Sequence, residues 1–253
     1  MYSLASFSIA DMTECASELR KLGAAASSTQ DVAQRIASYL YRQLGNDQTG
    51  RQDCVLVRCF LTRAYRELDP KSQDCARRAL ACGPGSVDMK CLTLFGTAGE
   101  RPEWNDRNRS RRYRSIPITD KQVVAQFPMV LQLLQQLGVD LTSKTQPESD
   151  QLVDWTQHTL DVFHVAEAKG SPFVPAQEEF VIPFGIESVL GFGGGFPSKE
   201  FFTVILFSRV RISRETAELF KPLALSVKLA LLPFDNNGSK RSIHPVEGQP
   251  GRR

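Results

Sequence analysis

Residues 186 to 234 constrain the fold of this chain more than any other stretch. Two apolar runs of strand length, Ile186–Phe192 and Phe201–Ile212, are separated by Gly193–Gly195 and Pro197 and followed by a helical pattern over Arg214–Leu232. The second run is apolar on both alternating faces, with Phe201, Thr203, Ile205 and Phe207 on one and Phe202, Val204 and Leu206 on the other. That is the pattern of a strand covered on both sides, hence central in its sheet. Ser208, Arg209 and Arg211 predict a more exposed end. Ser213 can cap the closing helix, and Pro222 inside it removes a backbone hydrogen bond and predicts a bend. A phosphate-binding glycine loop opens a helix or carries a following Lys-Ser/Thr, whereas here another strand follows. Gly193–Gly195 therefore read as a hairpin turn.

Everything upstream must pack against this unit. Residues 8–22 fit a short amphipathic helix through Ile9, Met12, Ala16 and Leu19. A second helix over 28–44 is capped by Ser28 or Thr29, repeats Val32, Ile36, Leu40 and Leu44 at spacing four, and meets Gly45-Asn46-Asp47 as a left-handed C-terminal cap. Cys54–Leu61 reads as a buried strand, 71–82 as a short helix and Met89–Phe95 as another strand. Arg101 to Ser115 is the most polar stretch and reads as a long exposed loop. Lys121 to Leu137 carries a broad apolar stripe with Pro128 inside it, which predicts a kink or a late start. A strand ends before Gly170, and Gln177–Val181 supplies one or two helical turns. The tail from Asp235 to Arg253 has almost no apolar residues and is expected to be disordered.

Composition narrows the class. With 31 basic and 28 acidic residues the net charge is +3, so no global field calls for nucleic acid or an anionic membrane. All six cysteines fall within the first 91 residues, and the N-terminus lacks a basic segment before its short apolar run. A reduced, cytoplasmic setting is expected, with the cysteines acting as small hydrophobes. No run reaches the roughly 18 apolar residues of a spanning helix.

Chemistry-bearing residues are sparse. Cys54-x4-Cys59 and Cys75-x6-Cys82 do not match zinc-ligand spacing, and two of these thiols sit in a buried strand. His158 and His164 flank Asp161; one histidine suffices to hold haem iron, so His164 supports an alternative reading as a haem or metal sensor. Arg107, Arg109, Arg111, Arg112 and Arg114, interleaved with Trp104 and Tyr113, could contact an anion or a partner, or nucleic acid in a second alternative. No nucleophile elbow or paired carboxylates complete a catalytic constellation, and no enzyme is expected.

The order of elements, a capped helix over 28–44, a buried strand over 54–61, a variable middle, then hairpin, central strand and closing helix, is similar to a GAF-type sensory domain. FFTVILFSRVRISRETAELFKPLALSVKLALLPF (201–234) resembles the end of that family. LFGTAGERPEWNDRNRSRRYRSIPI (94–118) resembles input modules that precede PAS and histidine kinase regions in bacterial signalling proteins. The expectation is an α/β (α+β) domain over 28–234, with a mixed, largely antiparallel sheet flanked by helices, a helical segment at 1–27 and a polar tail at 235–253. The resemblance implies a non-catalytic cytoplasmic sensor that binds a small ligand or a partner, relays through its terminal helices as a homodimer, and works with a histidine kinase or other signalling protein. No cofactor is assignable. The pocket would lie between sheet and middle helices, lined by Phe163, His164, Phe184 and Phe192.

Overall fold

The structure, a computed structural model, describes residues 1–46, 50–80, 86–110, 113–119, 121–136 and 162–235. Helix α1 (Ile9–Lys21) starts on Ser8, whose hydroxyl accepts from the Asp11 amide while the Asp11 carboxylate accepts from the Ser8 amide. This reciprocal box satisfies two donors that have no partner within the helix. Helix α2 (Thr29–Gln43) starts under the Ser28 hydroxyl, and its Val32, Ile36 and Leu40 stripe is buried. It does not end in a glycine cap. Leu44 closes it, and Gly45–Asn46 instead pairs with Arg51–Gln52 in a two-residue ladder.

Six strands follow: β1 (Cys54–Ala64), β2 (Lys90–Gly99), β3 (Ser115–Ile118), β4 (Val162–Val165), β5 (Ser188–Gly195) and β6 (Phe201–Ser208). Their order is β3-β2-β1-β6-β5-β4, and every neighbouring pair is antiparallel. The sheet is thus the helix-flanked, antiparallel α+β arrangement the sequence implied. The doubly apolar run of β6 sits in its centre beside β1. One face, with Val57, Cys59, Leu61, Phe202, Val204 and Leu206, packs against α1, α2 and α7 (Lys221–Leu231). Leu4, Phe7, Cys15 and Leu19 from the segment 1–27 lie in this same core. The opposite face, with Leu56, Phe60, Ile205 and Phe207, is covered by α4 (Lys121–Ala125), α5 (Pro128–Gln136) and residues 168–186. Helix α3 (Pro70–Ala79) packs at the β3 edge.

Three expectations are corrected. Gly193–Gly195 are not the hairpin turn; they end β5 and pair with Phe201–Thr203, and the chain turns at residues 196–200 instead. At Gly193 the strands approach too closely for a side chain: a Cβ there would collide with the Phe202 carbonyl and lie 3.1 Å from the Thr203 Cα. The closing helix is not one bent rod. It breaks into α6 (Arg214–Glu218) and α7, with Pro222 in the first turn of the new helix, where its missing N–H is no loss. The stretch 101–115 is not a plain exposed loop; Pro102–Asn105 and Arg107–Arg109 form 3₁₀ turns whose side chains partly face inward. Pro128 divides α4 from α5 as its chemistry requires. The tail expectation falls on residues 236–253, outside the described residues.

Candidate functional site

The second face of the sheet is covered unevenly, and a cavity of about 430 Å³ lies there. Its floor is Leu56, Arg58 and Phe60 of β1 with Leu92 and Ile205, and its roof is Phe127–Val130, where the chain enters α5. The volume falls in the range of small-molecule sites. One wall is aromatic. Ala176, in the left-handed conformation at φ 59°, starts a wide turn over Gln177–Val181 that sets Phe180 edge-on to Phe207 (5.1 Å) and Trp104 (5.5 Å). Trp104 is fixed from behind: its carbonyl accepts from the Thr97 hydroxyl at 2.9 Å, and the Asn105 amide bonds the Gly99 backbone in both directions at 3.0 Å. The wall is therefore preformed.

Arg58 is the residue that reasoning from the sequence passed over. It stands mid-strand, opposite Thr97 of β2 and Ile205 of β6, and opens onto the cavity. Burial lowers its pKa to about 10, only partly offset by the nearby Tyr113, so the guanidinium stays charged at neutral pH. Its Nε has no hydrogen-bond partner among the described residues, and none of the ion pairs there includes it. The available signal was one arginine inside the run Val55-Leu56-Val57-Arg58-Cys59-Phe60-Leu61.

The residues singled out from sequence do not assemble into one site. Phe163 and Phe184 belong to the cavity's face of the sheet but stand beside it: Phe163 next to Gly191 of β5, and Phe184 stacked edge-on against Trp104 at 4.7 Å. Phe192 cannot join them. It pairs with Val162, one residue out of step with Phe163, so its ring lies in the opposite core against Phe220 at 5.8 Å. His164 shares that opposite side; its Nε2 donates to the Ile212 carbonyl at 2.9 Å, and burial lowers its pKa. A ring held this way ties β4 to the segment that leads into α6, with its Nε2 engaged by backbone. Among the described residues no group of three or more His, Cys, Asp or Glu is placed to hold a metal. Burial also pushes the Cys15, Cys54, Cys59 and Cys91 thiols up to about 12, so they stay protonated and inert.

The arginine cluster separates as well. Arg114 is 3% exposed and Arg107 is largely buried, and both donate to the Asp69 carboxylate, at 2.9 and 3.0 Å. They hold the fold: each donates to the Asp69 carboxylate and to a backbone carbonyl, Arg107 to that of Leu94 and Arg114 to that of Arg107. Arg109 alone of the described members is exposed, at the cavity rim. Arg111, Arg112 and His158 lie outside the described residues.

No protein-family model matches the sequence, and no curated protein matches it. Among solved structures the chain is similar to free methionine-R-sulfoxide reductase from Neisseria meningitidis in complex with its substrate, at 13% identity and TM-score 0.43, covering 91% of this chain and 95% of that one. It is also similar to the phycocyanobilin-bound GAF domain of a cyanobacterial phytochrome, at 10% identity and TM-score 0.45, covering 90% and 97%. A phycoerythrobilin-bound GAF domain of a cyanobacterial phytochrome matches at 10% identity and TM-score 0.40, covering 89% and 97%. These likenesses concern the course of the chain. The expectation that the chain is no enzyme is withdrawn, since one of the structures it is similar to is an enzyme. Among the described residues no helix is long and apolar enough to cross a membrane.

Proposed function

We propose that this chain is a sensory module that binds a small organic ligand in the cavity between its sheet and α5. The observation that carries the reading is the cavity itself: about 430 Å³, walled by fixed aromatic rings and floored by an arginine whose Nε has no partner among the described residues. A site of this kind excludes water and orients a ligand through few polar groups. The uncharged probe N-phenyl-1-naphthylamine, which fluoresces in apolar surroundings, is expected to bind one per chain. Ile205→Trp fills the cavity from its floor and should weaken that binding by about tenfold or more, a loss of about 1.4 kcal/mol. Unchanged affinity in the filled variant, with the fold intact by circular dichroism, would remove the cavity as the site.

The ligand signal, in this reading, leaves through the terminal helices of a cytoplasmic homodimer to a histidine kinase or other signalling protein. Two features support it. Helices α1 and α7 pack on each other and α7 also packs on β5, so a shift of the sheet reaches both. The outer side of α7 leaves Leu225, Leu229 and Leu232 exposed at spacings of four and three, an apolar stripe that a second copy would cover. Sedimentation should find a dimer for the wild type at tens of micromolar and a monomer for the double variant Leu225→Glu, Leu229→Glu. A wild type that stays monomeric sinks the dimer.

A further inference from the structure

The charge on the floor of the cavity selects a ligand. Among the described residues its exposed rim carries Glu103, Asp106, Glu179 and Arg109. Its floor carries one cation, Arg58, set among Leu56, Phe60 and Ile205. A guanidinium in such a place is costly unless an anion meets it. Its planar donors match a carboxylate in a two-pronged contact, and in apolar surroundings that contact is strong. A single positive charge neutralises a single negative one. A dianion such as a phosphate monoester would leave net charge against that apolar floor. The aromatic part of the lining, Phe60, Trp104, Tyr113, Phe127, Phe180 and Phe207, suits flat ring systems.

We propose that Arg58 anchors a small aromatic carboxylate in this cavity. The proposal rests on the cavity being the ligand site and names its chemical class. Arg58 reads the carboxylate and the aromatic walls clasp the ring.

Three probes of one size test this: 1-naphthoate, its uncharged isostere 1-naphthamide, and the dianion 1-naphthyl phosphate, each titrated calorimetrically and by displacement of N-phenyl-1-naphthylamine. The wild type should bind naphthoate at least about tenfold tighter than either of the others, the gain expected of a charge-assisted pair. Arg58→Met keeps the side-chain length without the charge. It should lose the preference for naphthoate over 1-naphthamide, keep its fold by circular dichroism, and melt higher because a charge on the cavity floor is gone. Arg58→Lys, a charge without the fork, should fall between them. An equal preference for naphthoate in the wild type and in Arg58→Met would overturn the role of Arg58 and leave the cavity standing. Phosphate binding as tight as naphthoate would overturn the monoanion assignment. Failure of all four compounds to bind the wild type would overturn the cavity reading and this proposal with it.

Discussion

Asp69→Asn is expected to lower the stability of the protein by about 3 kcal/mol, one of the two largest effects of a single substitution in this structure. The carboxylate is the only anion paired, among the described residues, with two inward-facing arginines: Oδ1 accepts from Arg114 at 2.9 Å and Oδ2 from Arg107 at 3.0 Å. It also caps α3, accepting from the Ser72 amide at 3.1 Å and hydroxyl at 2.8 Å. Asparagine keeps the shape and is itself a good cap, so the substitution removes the charge and turns one of the two accepting oxygens into a donor. Arg114 has nowhere else to go. Its remaining contacts, the Ser72 hydroxyl, the Arg107 carbonyl and the Asn108 side chain, are neutral. Stranding a buried charge costs about 3–5 kcal/mol, and the lower end applies because the Asp69 side chain is 33% exposed and partly screened. For a chain of this size the melting midpoint should fall by about 6–12 °C. A loss below about 1 kcal/mol in urea unfolding would mean that the arginines are hydrated after all.

The same network sets a pH dependence. Burial by itself raises the Asp69 pKa, but the Ser72 hydrogen bonds and the charges of Arg114 and Arg107 outweigh it and hold the carboxyl below its ordinary range. A carboxyl whose folded pKa is depressed stabilises fully above its unfolded pKa, near 4, and loses that contribution as pH falls through the folded value. The gap between the wild type and Asp69→Asn should therefore be constant from neutral pH down to about pH 5 and close below about pH 4.

The contrast between Arg107 and Arg58 shows what sequence could and could not convey. Local signals were legible: the Ser28 and Ser213 caps, the break at Pro128 and the two apolar faces of β6 all depend on neighbours within a few residues. The burial of Arg107 and Arg114 was not, because their partner Asp69 is 38 and 45 residues away and no local pattern links them. The misplacement of Phe192 has a similar root. Phe163 and Phe192 are both apolar strand residues, and only the register of β4 on β5 decides which face each takes. Arg58 differs from both. A charge within an apolar strand must be paired, or must border a cavity, and that condition can be written down from sequence alone. Which of the two applies depends on Phe127–Val130 arching over it from a distant part of the chain.

Gly96→Ala should be the most damaging of the small substitutions, costing about 3–5 kcal/mol, with much of the protein recovered insoluble. The reason lies in how α2 seats on the sheet. At Cys59–Phe60 the pairing of β1 with β2 slips by one residue, leaving Phe95 as the extra residue of a bulge beside Gly96. The bulge turns the Thr97 backbone toward α2, where the Gln34 side chain bonds it twice: its amide donates to the Thr97 carbonyl at 2.8 Å, and its oxygen accepts from the Thr97 amide at 3.2 Å. These bonds pull the helix onto the strand until the Ala33 carbonyl sits over Gly96. A Cβ there would collide with that carbonyl and lie 2.7 Å from the Gln34 nitrogen, so the obstacle is helix backbone with no rotamer to escape into. Accommodating it means lifting α2, which breaks the Gln34 bonds and opens the core around Val32, Ile36 and Leu40 together. Gly191→Ala is the matched control. It lies in a buried strand of the same sheet, yet its Cβ would meet only side-chain atoms, Phe163 at 3.3 Å and Leu133 at 3.4 Å, which can shift by a few tenths of an ångström. Its cost should stay below about 1.5 kcal/mol. Equal losses for the two variants in chemical denaturation would show that α2 is not held by this close approach. A large loss at Gly96 alone would place the helix–strand seat among the contacts that decide whether the chain folds.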